Sequence, residues 1–236
     1  MFVKPLKTSL FKERDDLIAF ITKRIKKVRE GSIVVVTSKI VALSEGRTAP
    51  LGTEEDFAKL VKAESDYAIQ AAGGWWLTLR DGTIIASAGI DKSNAFGKLI
   101  LLPRDSYKAA RELRFVLSKH YKVRNLGILV TDSRLMPLRA GVVGVALGYA
   151  GFKGIRTYIG KKDLMGRKLK FSKTDVADSL ATAAVLTMGE GNEQQPLALI
   201  EDAPIVFTKT NPSRKELYIN PALDLYRPLL TNLPKI

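Results

Sequence analysis

Between Glu13 and Arg29 apolar residues recur every three to four positions, at Leu17, Ile18, Phe20, Ile21, Ile25 and Val28, while Lys23, Arg24, Lys26 and Lys27 fill the opposite face. That period predicts an amphipathic helix with a wet basic side, ending before Gly31. The run Ser32-Ile33-Val34-Val35-Val36-Thr37 changes the period: unbroken β-branched residues read as a strand covered on both faces. Its end delivers Ser38-Lys39 and then Glu45-Gly46-Arg47. A second helix is predicted from Thr53 to Ala71, with Thr53 as N-cap and acids in its first turn. Trp75–Leu79 and Thr83–Ser87 read as a hairpin about Arg80-Asp81-Gly82, since Asp-Gly suits a tight turn.

The polar segment from Ala88 to Asn94 reads as a loop leaving that hairpin, and Leu99–Leu102 as a short strand. Asp105 or Ser106 caps a helix running to Tyr121, and Leu126–Thr131 is a strand ending in Asp132-Ser133. The Gly-rich stretch from Ala140 to Gly154 follows no period. Thr174–Met188 reads as an Ala-rich helix stopped by Gly189-Glu190-Gly191-Asn192, with late strands at Pro196–Ile200 and Ile205–Thr208. Repeats, low-complexity tracts and flexible linkers are absent, so residues 1–236 are expected to form one compact α+β unit.

Composition narrows the chemistry. The 236 residues are 46% hydrophobic and 26% charged, enough to build a buried core. Cysteine is absent, which excludes disulfides, thiolate metal sites and cysteine nucleophiles. One histidine, His120, stands among Lys119, Tyr121 and Lys122 near a helix end and reads as a surface residue. Catalysis must therefore use carboxylates, hydroxyls, amides, lysines and arginines, with an oxygen-bound cation such as Mg²⁺ or Mn²⁺. The formal net charge of +14 favours anionic partners without choosing among them. The charged N-terminus lacks the apolar segment of a signal peptide, and the apolar stretch from Val142 to Phe152 is too short to span a bilayer. A soluble, cytoplasmic protein is expected.

Three polar clusters follow predicted strands or helices: Asp91 with Asn94, Asp132 with Ser133, and Glu190 with Asn192. Carboxylates beside hydroxyls suit a hard divalent ion, and Lys39, Arg47, Arg134 and Arg139 could neutralise a polyphosphate beside it. Each cluster taken singly reads first as a turn or helix cap, since Asp, Asn and Ser fill such positions through local hydrogen bonds. Neither Gly-x-x-x-x-Gly-Lys-Ser/Thr nor Gly-x-Gly-x-x-Gly occurs. The small residues between Val142 and Gly151 fit either backbone approach to a ligand or tight packing. Trp75-Trp76 could stack on a heterocycle, or pack in the core or at a subunit contact.

The same stretches, in order, carry a resemblance. Thr37-Ser38-Lys39-Ile40-Val41 with Glu45-Gly46-Arg47, Ala88-Gly89-Ile90-Asp91-Lys92-Ser93-Asn94, Leu102-Pro103, and Thr131-Asp132 before Gly141-Val142-Val143-Gly144-Val145-Ala146 resemble the coenzyme F420-0:gamma-glutamyl ligase family. So do Asp163-Leu164-Met165-Gly166-Arg167, Val176-Ala177-Asp178 and Met188-Gly189-Glu190. The resemblance implies a two-lobed α+β fold, a homodimer, and an NTP-dependent ligase that uses GTP (or ATP) with Mg²⁺ or Mn²⁺. Its reaction attaches L-glutamate to a carboxylate of a small cofactor. Carried over by position, the metal ligands are Asp91, Asp132, Ser133 and Glu190. Nucleotide contacts fall on Ser38, Lys39, Asn94, on Met188, Gly189, Glu190, Gly191 and Asn192, and on Pro5, Leu6 and Lys7. Lys39, Arg134 and Arg139 are the expected catalytic cations.

Two departures are visible. Leu43 replaces a family lysine, and the usual Asp-Thr-Phe-Gly-Arg-Pro-Trp-Arg reads Asp132-Ser133-Arg134-Leu135-Met136-Pro137-Leu138-Arg139. This version is similar to a bacterial branch of folate-metabolism gamma-glutamate ligases, so the acceptor is either the deazaflavin F420-0 or a folate. The expected route is an acyl phosphate captured by the glutamate amine. Two rival readings remain on sequence alone. A nucleotide-binding scaffold without turnover is kept alive by Leu43. A basic nucleic-acid-binding protein is permitted by charge, against the acidic loops and the lack of an interleaved aromatic platform.

Overall fold

The structure, a computed structural model, describes residues 1–93, 97–210 and 212–229. In chain order, β1 (Phe2–Leu6), α1 (Leu17–Arg24), β2 (Ser32–Thr37) and α2 (Ser38–Ser44) lead into β3 (Thr48–Pro50), α3 (Glu54–Ala63) and β4 (Tyr67–Gln70). The hairpin β5 (Trp76–Arg80) and β6 (Thr83–Ala86) precedes β7 (Lys98–Ile100), α4 (Ser106–Tyr121) and β8 (Leu126–Leu135). The chain continues through β9 (Val142–Ala150), β10 (Ile155–Thr157), β11 (Lys173–Asp175), α5 (Val176–Met188) and β12 (Leu197–Glu201). The mixture of helices with mainly antiparallel sheets is the α+β class the sequence predicts.

The principal sheet has the order β1-β12-β2-β8-β9. Its central pair, β2 and β8, is parallel, and the other neighbours are antiparallel. The β-branched run of β2 is buried on both faces. Val34 and Val36 join Ile21, Ile40 and Leu117 of α1, α2 and α4, while Ile33 and Val35 join Val176, Leu180 and Ala184 of α5. A smaller body is built from α3, the pair β3–β7 and the sheet β4-β5-β6. Its own core holds Val61, Ala88, Ile90, Leu99 and Leu101. Asp81 and Gly82 close β5–β6 with φ of 54° and 74°, the two left-handed positions of a type I′ hairpin turn. Among the described residues no helix is long and apolar enough to cross a membrane.

Several boundaries differ from the sequence pattern, each for a local reason. The first helix spans Leu17–Arg24 rather than Glu13–Arg29. The Asp16 side chain caps it by accepting from the Ala19 N–H at 3.0 Å, and Ile25 is already extended. Ile25 and Val28 enter the same core from non-helical backbone, so their apolar spacing outlasts the helix. The second helix keeps its Thr53 capping box but stops at Ala63, because Tyr67–Gln70 pairs with β5 as a third strand. Strand β8 runs on to Leu135 past an irregularity at Val130/Thr131. Asp132 and Ser133 therefore stand on a strand and not in a loop. Ile205–Thr208 forms only the isolated bridge between Phe152 and Phe207. Besides β9 in the Gly-rich stretch, the helices and strands with no predicted counterpart are β1, α2, β3, β4, β10 and β11, all short.

The Gly-rich stretch is β9, and its glycines serve packing. A Cβ on Gly144 would lie 2.4 Å from the Ala181 carbonyl oxygen of α5, and one on Gly148 2.4 Å from the Ser106 carbonyl carbon of α4. Both contacts are with backbone, which has little room to yield. Gly148→Ala should therefore destabilise the protein by about 1–3 kcal/mol, read as a lower urea midpoint.

The Glu30 carboxylate accepts the Arg124 N–H at 3.0 Å and the Asn125 N–H at 2.5 Å, tying the turn before β2 to the turn before β8. These backbone hydrogen bonds hold its carboxyl below the ordinary value of 4.5. The stabilisation is complete above that value and is lost as pH falls through the lower folded one. In Glu30→Gln, urea midpoints between pH 3 and 6 should show a flatter acid limb than in the parent.

Candidate active site

Thr37 of β2 lies opposite Thr131 of β8 in parallel register, so Ser38-Lys39, entering α2, lie beside Asp132-Ser133, which continue β8 against β9. Ser38 is buried, and its hydroxyl donates to Asp132 Oδ1 at 3.0 Å. One position on, Lys39 reaches the other body: its Nζ is 2.6 Å from Asp91 Oδ2 and donates to Ser93 Oγ at 3.2 Å. Asp91 also accepts the Ser93 N–H at 2.6 Å. Burial raises the Asp91 pKa, but Lys39 and Ser93 more than offset this and leave it below the ordinary aspartate value.

Asp91 is aimed by unusual backbone. Ser87, Ala88 and Gly89 have φ of 48°, 55° and 71°, a left-handed run that includes two non-glycine residues. The buried Thr78 Oγ1 accepts the Ala88 N–H at 2.9 Å and donates to the Ile85 carbonyl at 2.5 Å. Arg80 donates to the Ala88 carbonyl at 3.3 Å and to Glu64 Oε2 at 2.9 Å, and Arg47 reaches the same Glu64 oxygen at 2.5 Å. This ion-pair network clamps the turn from beneath, and Asp91 follows two residues after it.

Asp132 is desolvated on its strand. Burial pushes its pKa up to about 6, against the opposing effects of the Ser38 hydrogen bond and the Arg134 charge, and the Asp91 charge adds to the rise. Across the cleft, Ser133 Oγ donates to Glu190 Oε1 at 2.5 Å, which joins β8 to the loop after α5. Two buried polar atoms beside Asp132, Thr131 Oγ1 and Arg134 Nε, have no hydrogen-bond partner.

These groups line one cleft of about 1020 Å³. Lys39, Asp91, Asp132, Ser133, Arg134 and the whole stretch from Met188 to Asn192 face it, with Ser38 just beneath through Asp132. The structure does not bring every sequence candidate here. Pro5, Leu6 and Lys7 lie outside the lining, because Pro5 and Leu6 are paired in β1 and Leu6 is in the core. The residues that follow, Thr8–Phe11, line the cleft instead, anchored by the Thr8 N–H to the Gln194 carbonyl at 2.9 Å. Arg139 is on the exposed turn between β8 and β9, also outside the lining. Asn94 lies outside the described residues. His120 is exposed and away from the cleft. Trp75 lines the cleft while Trp76 packs on the smaller core, a division the Trp-Trp pair alone could not reveal.

Asp91, Asp132 and Glu190 share the cleft, yet among the described residues no group of three or more His, Asp or Glu side chains gathers closely enough to hold a metal. The donor set nevertheless fits a hard cation. It is all oxygen, Asp132 is desolvated with Asp91 nearby, and the Thr131 hydroxyl is unpartnered.

A sequence model of the F420-0:gamma-glutamyl ligase family matches residues 5–202. The chain belongs to that family. It is 31% identical over 218 residues to the coenzyme F420:L-glutamate ligase of Methanococcus maripaludis, covering 91% of this chain and 86% of the relative. The ligase of that name from Archaeoglobus fulgidus is 31% identical over 235 residues, covering 92% of each chain, and that of Halorubrum lacusprofundi is 34% identical over 214 residues, covering 81% and 82%. Membership makes the protein an amide-forming ligase. The cleft-lining segments all lie within the matched span, and so does Leu43, which in this family member is buried in the α2 core.

Because the folded pKa of Asp132 stands above the ordinary aspartate value of 3.8, the contribution of this one group to stability is most favourable below that value and is lost as pH rises through about 6. In metal-free protein, Asp132→Asn should unfold at higher urea than the parent at pH 7.5, and the two midpoints should converge below pH 4. Equal midpoints at both pH values would show that the carboxylate is not desolvated as described.

Proposed function

We propose that the protein joins L-glutamate to a carboxylate of a small cofactor, F420-0 in the first instance, with conversion of GTP to GDP and phosphate. The observation that carries this reading is the meeting of four sequence-distant segments, those of Lys39, Asp91, Asp132 and Glu190, at one cleft. The printed activity of the relatives agrees with it. A carboxylate does not condense with an amine in water until its oxygen becomes a better leaving group. The acceptor carboxylate therefore attacks the γ-phosphorus, the bond to the β-phosphate oxygen breaks, and GDP leaves. The glutamate amine then adds to the acyl carbon, expelling phosphate and releasing a proton.

The protein's part is positioning and charge neutralisation, as in other phosphoryl transfers. Lys39, held between Asp91 and Ser93, presents an ammonium to the transferring phosphoryl group. Arg134 offsets charge on the acceptor side of Asp132. Asp91 and Asp132, with Ser133 and Glu190, are the residues that would hold Mg²⁺ or Mn²⁺, and such an ion would neutralise the phosphate oxygens. The protein acts in this reading as a homodimer in the cytoplasm. Folate stays open as a second acceptor because Leu135 and Arg134, from the altered 132–139 segment, line the cleft.

Purified protein given GTP, Mg²⁺, L-glutamate and F420-0 should yield acceptor heavier by one glutamyl residue, with GDP and phosphate in equal amounts. Release of GMP and pyrophosphate would overturn the acyl-phosphate route. Lys39→Ala should lower kcat by about 10²–10³-fold, the usual effect of removing one group that stabilises transition-state charge. Independently of turnover, Mn²⁺ should raise the melting temperature of the parent and leave that of Asp132→Asn unchanged.

A further inference from the structure

The cleft has two chemically different walls. One carries the ions: Lys39, Asp91, Asp132 and Glu190. The other is apolar, and among the described residues its one exposed aromatic side chain is Trp75, 55% exposed, with Phe57 and Ile85 also in the lining. Trp75 and Trp76 are consecutive residues of extended backbone, so they point to opposite sides. Trp76 takes the inward side, packed on the smaller core, and Trp75 takes the cleft. Its backbone is pinned: the Ala71 N–H donates to the Trp75 carbonyl at 2.8 Å and the Trp75 N–H to the Ala72 carbonyl at 3.5 Å. A large indole held out on a braced turn loses hydrophobic stabilisation unless something flat covers it.

The position of Trp75 says which flat group that is. The next residue, Trp76, donates its N–H to Ser87 Oγ at 3.4 Å, so Trp75 stands beside the left-handed turn that delivers Asp91 to Lys39. That pair serves the transferring phosphoryl group, and the purine of a nucleoside triphosphate lies at the far end of the triphosphate from it. The acceptor, whose carboxylate must meet the γ-phosphorus in line with the leaving GDP, extends its body to the side opposite the purine. Lys92 adds complementary charge: its ammonium sits 4.1 Å from the Phe57 ring centroid on the same wall, placed to meet an anionic side chain leaving a ring.

We propose that Trp75 is the stacking platform for the planar heteroaromatic ring of the acceptor, and so a specificity-determining residue of the ligase. The proposal rests on the ligase reading above. It assigns the acceptor class by chemistry: a flat, π-rich ring carrying a side chain that ends in a carboxylate. Deazaflavins and pterins both satisfy it, and aliphatic carboxylates do not.

The chain has two tryptophans, so Trp76→Phe leaves Trp75 as the sole indole reporter. In that variant, F420-0 or tetrahydrofolate should quench the fluorescence saturably, while GTP with Mg²⁺ should leave it unchanged. In the full chain, Trp75→Ala should raise the acceptor KM about tenfold and Trp75→Phe should hold it within about threefold, as expected for loss and retention of one stacking face. The KM for GTP and the kcat at saturating acceptor should stay at parent values. An unchanged acceptor KM in Trp75→Ala, or a rise in the GTP KM alone, would overturn the platform while leaving the ligase reading intact. If no acceptor supports glutamate-dependent turnover, the ligase reading fails by itself. The titration then still decides the platform: saturable quenching by either ring upholds it, and no quenching by both removes it.

Discussion

The parallel register of β2 on β8 is the constraint from which the site follows. Thr37 and Thr131 are opposite each other although 94 residues separate them, so the residues just beyond are neighbours whatever the intervening chain does. The carboxyl ends of adjacent parallel strands are where open sheets leave a crevice for ligands. Here the crevice is used from both strands: Ser38 from one holds Asp132 on the other. The register is secured by β-branched residues buried on both faces, and a slip of one residue would exchange the two cores. Core packing and site assembly are thus one requirement.

How much of this can be read from sequence depends on the range of the forces involved. The buried strand β2, the Asp105-capped helix α4, the Asp-Gly hairpin and the Thr53 cap are all legible, because each is set by residues within a few positions. The failures are long-range. Ile25 and Val28 keep a helical spacing without a helix because the core accepts them from either backbone. Tyr67–Gln70 becomes a strand only because β5 offers an unpaired edge. The glycines of β9 match no period since their spacing answers to two helices, one at each close approach. The site divides the same way. The segments that line the cleft are marked by polar residues at element ends. The contribution of Thr8–Phe11 and the outward turn of Trp75 depend on strand pairings that no local pattern announces.

Electrostatics explains why the acids of the cleft tolerate one another. The chain carries 38 Lys and Arg against 24 Asp and Glu, yet the cleft floor is built around carboxylates. Each has a separate accommodation. Asp91 is neutralised by an ammonium, Glu190 accepts a hydroxyl, and Asp132 is buried, with the Ser38 hydrogen bond and the Arg134 charge too weak to offset its desolvation, so its proton is held up to about pH 6. The deficit of positive charge is therefore local to Asp132, within a protein whose overall field draws anions inward. A triphosphate and a cation brought together would satisfy both conditions at once.

The smaller body has a mechanical reason to exist. Two consecutive non-glycine residues in the left-handed region cost of order 1–3 kcal/mol each, and such backbone persists only when its surroundings over-determine it. Around Ser87-Ala88 they do: Thr78 satisfies the Ala88 N–H, Arg80 the Ala88 carbonyl, and Glu64 fixes Arg80 together with Arg47. Arg47 in turn donates to the Leu102 carbonyl at 3.1 Å, so the brace is fastened where the chain returns toward the larger body. A flexible loop could carry Asp91 at lower conformational cost but would spread it over many positions. The strained turn, with its buried ion-pair brace, converts folding stability into a fixed direction for a single carboxylate, and the same brace holds the strand that starts beside Trp75. One rigid unit therefore sets both the Asp91 carboxylate and the placement of Trp75 at the cleft.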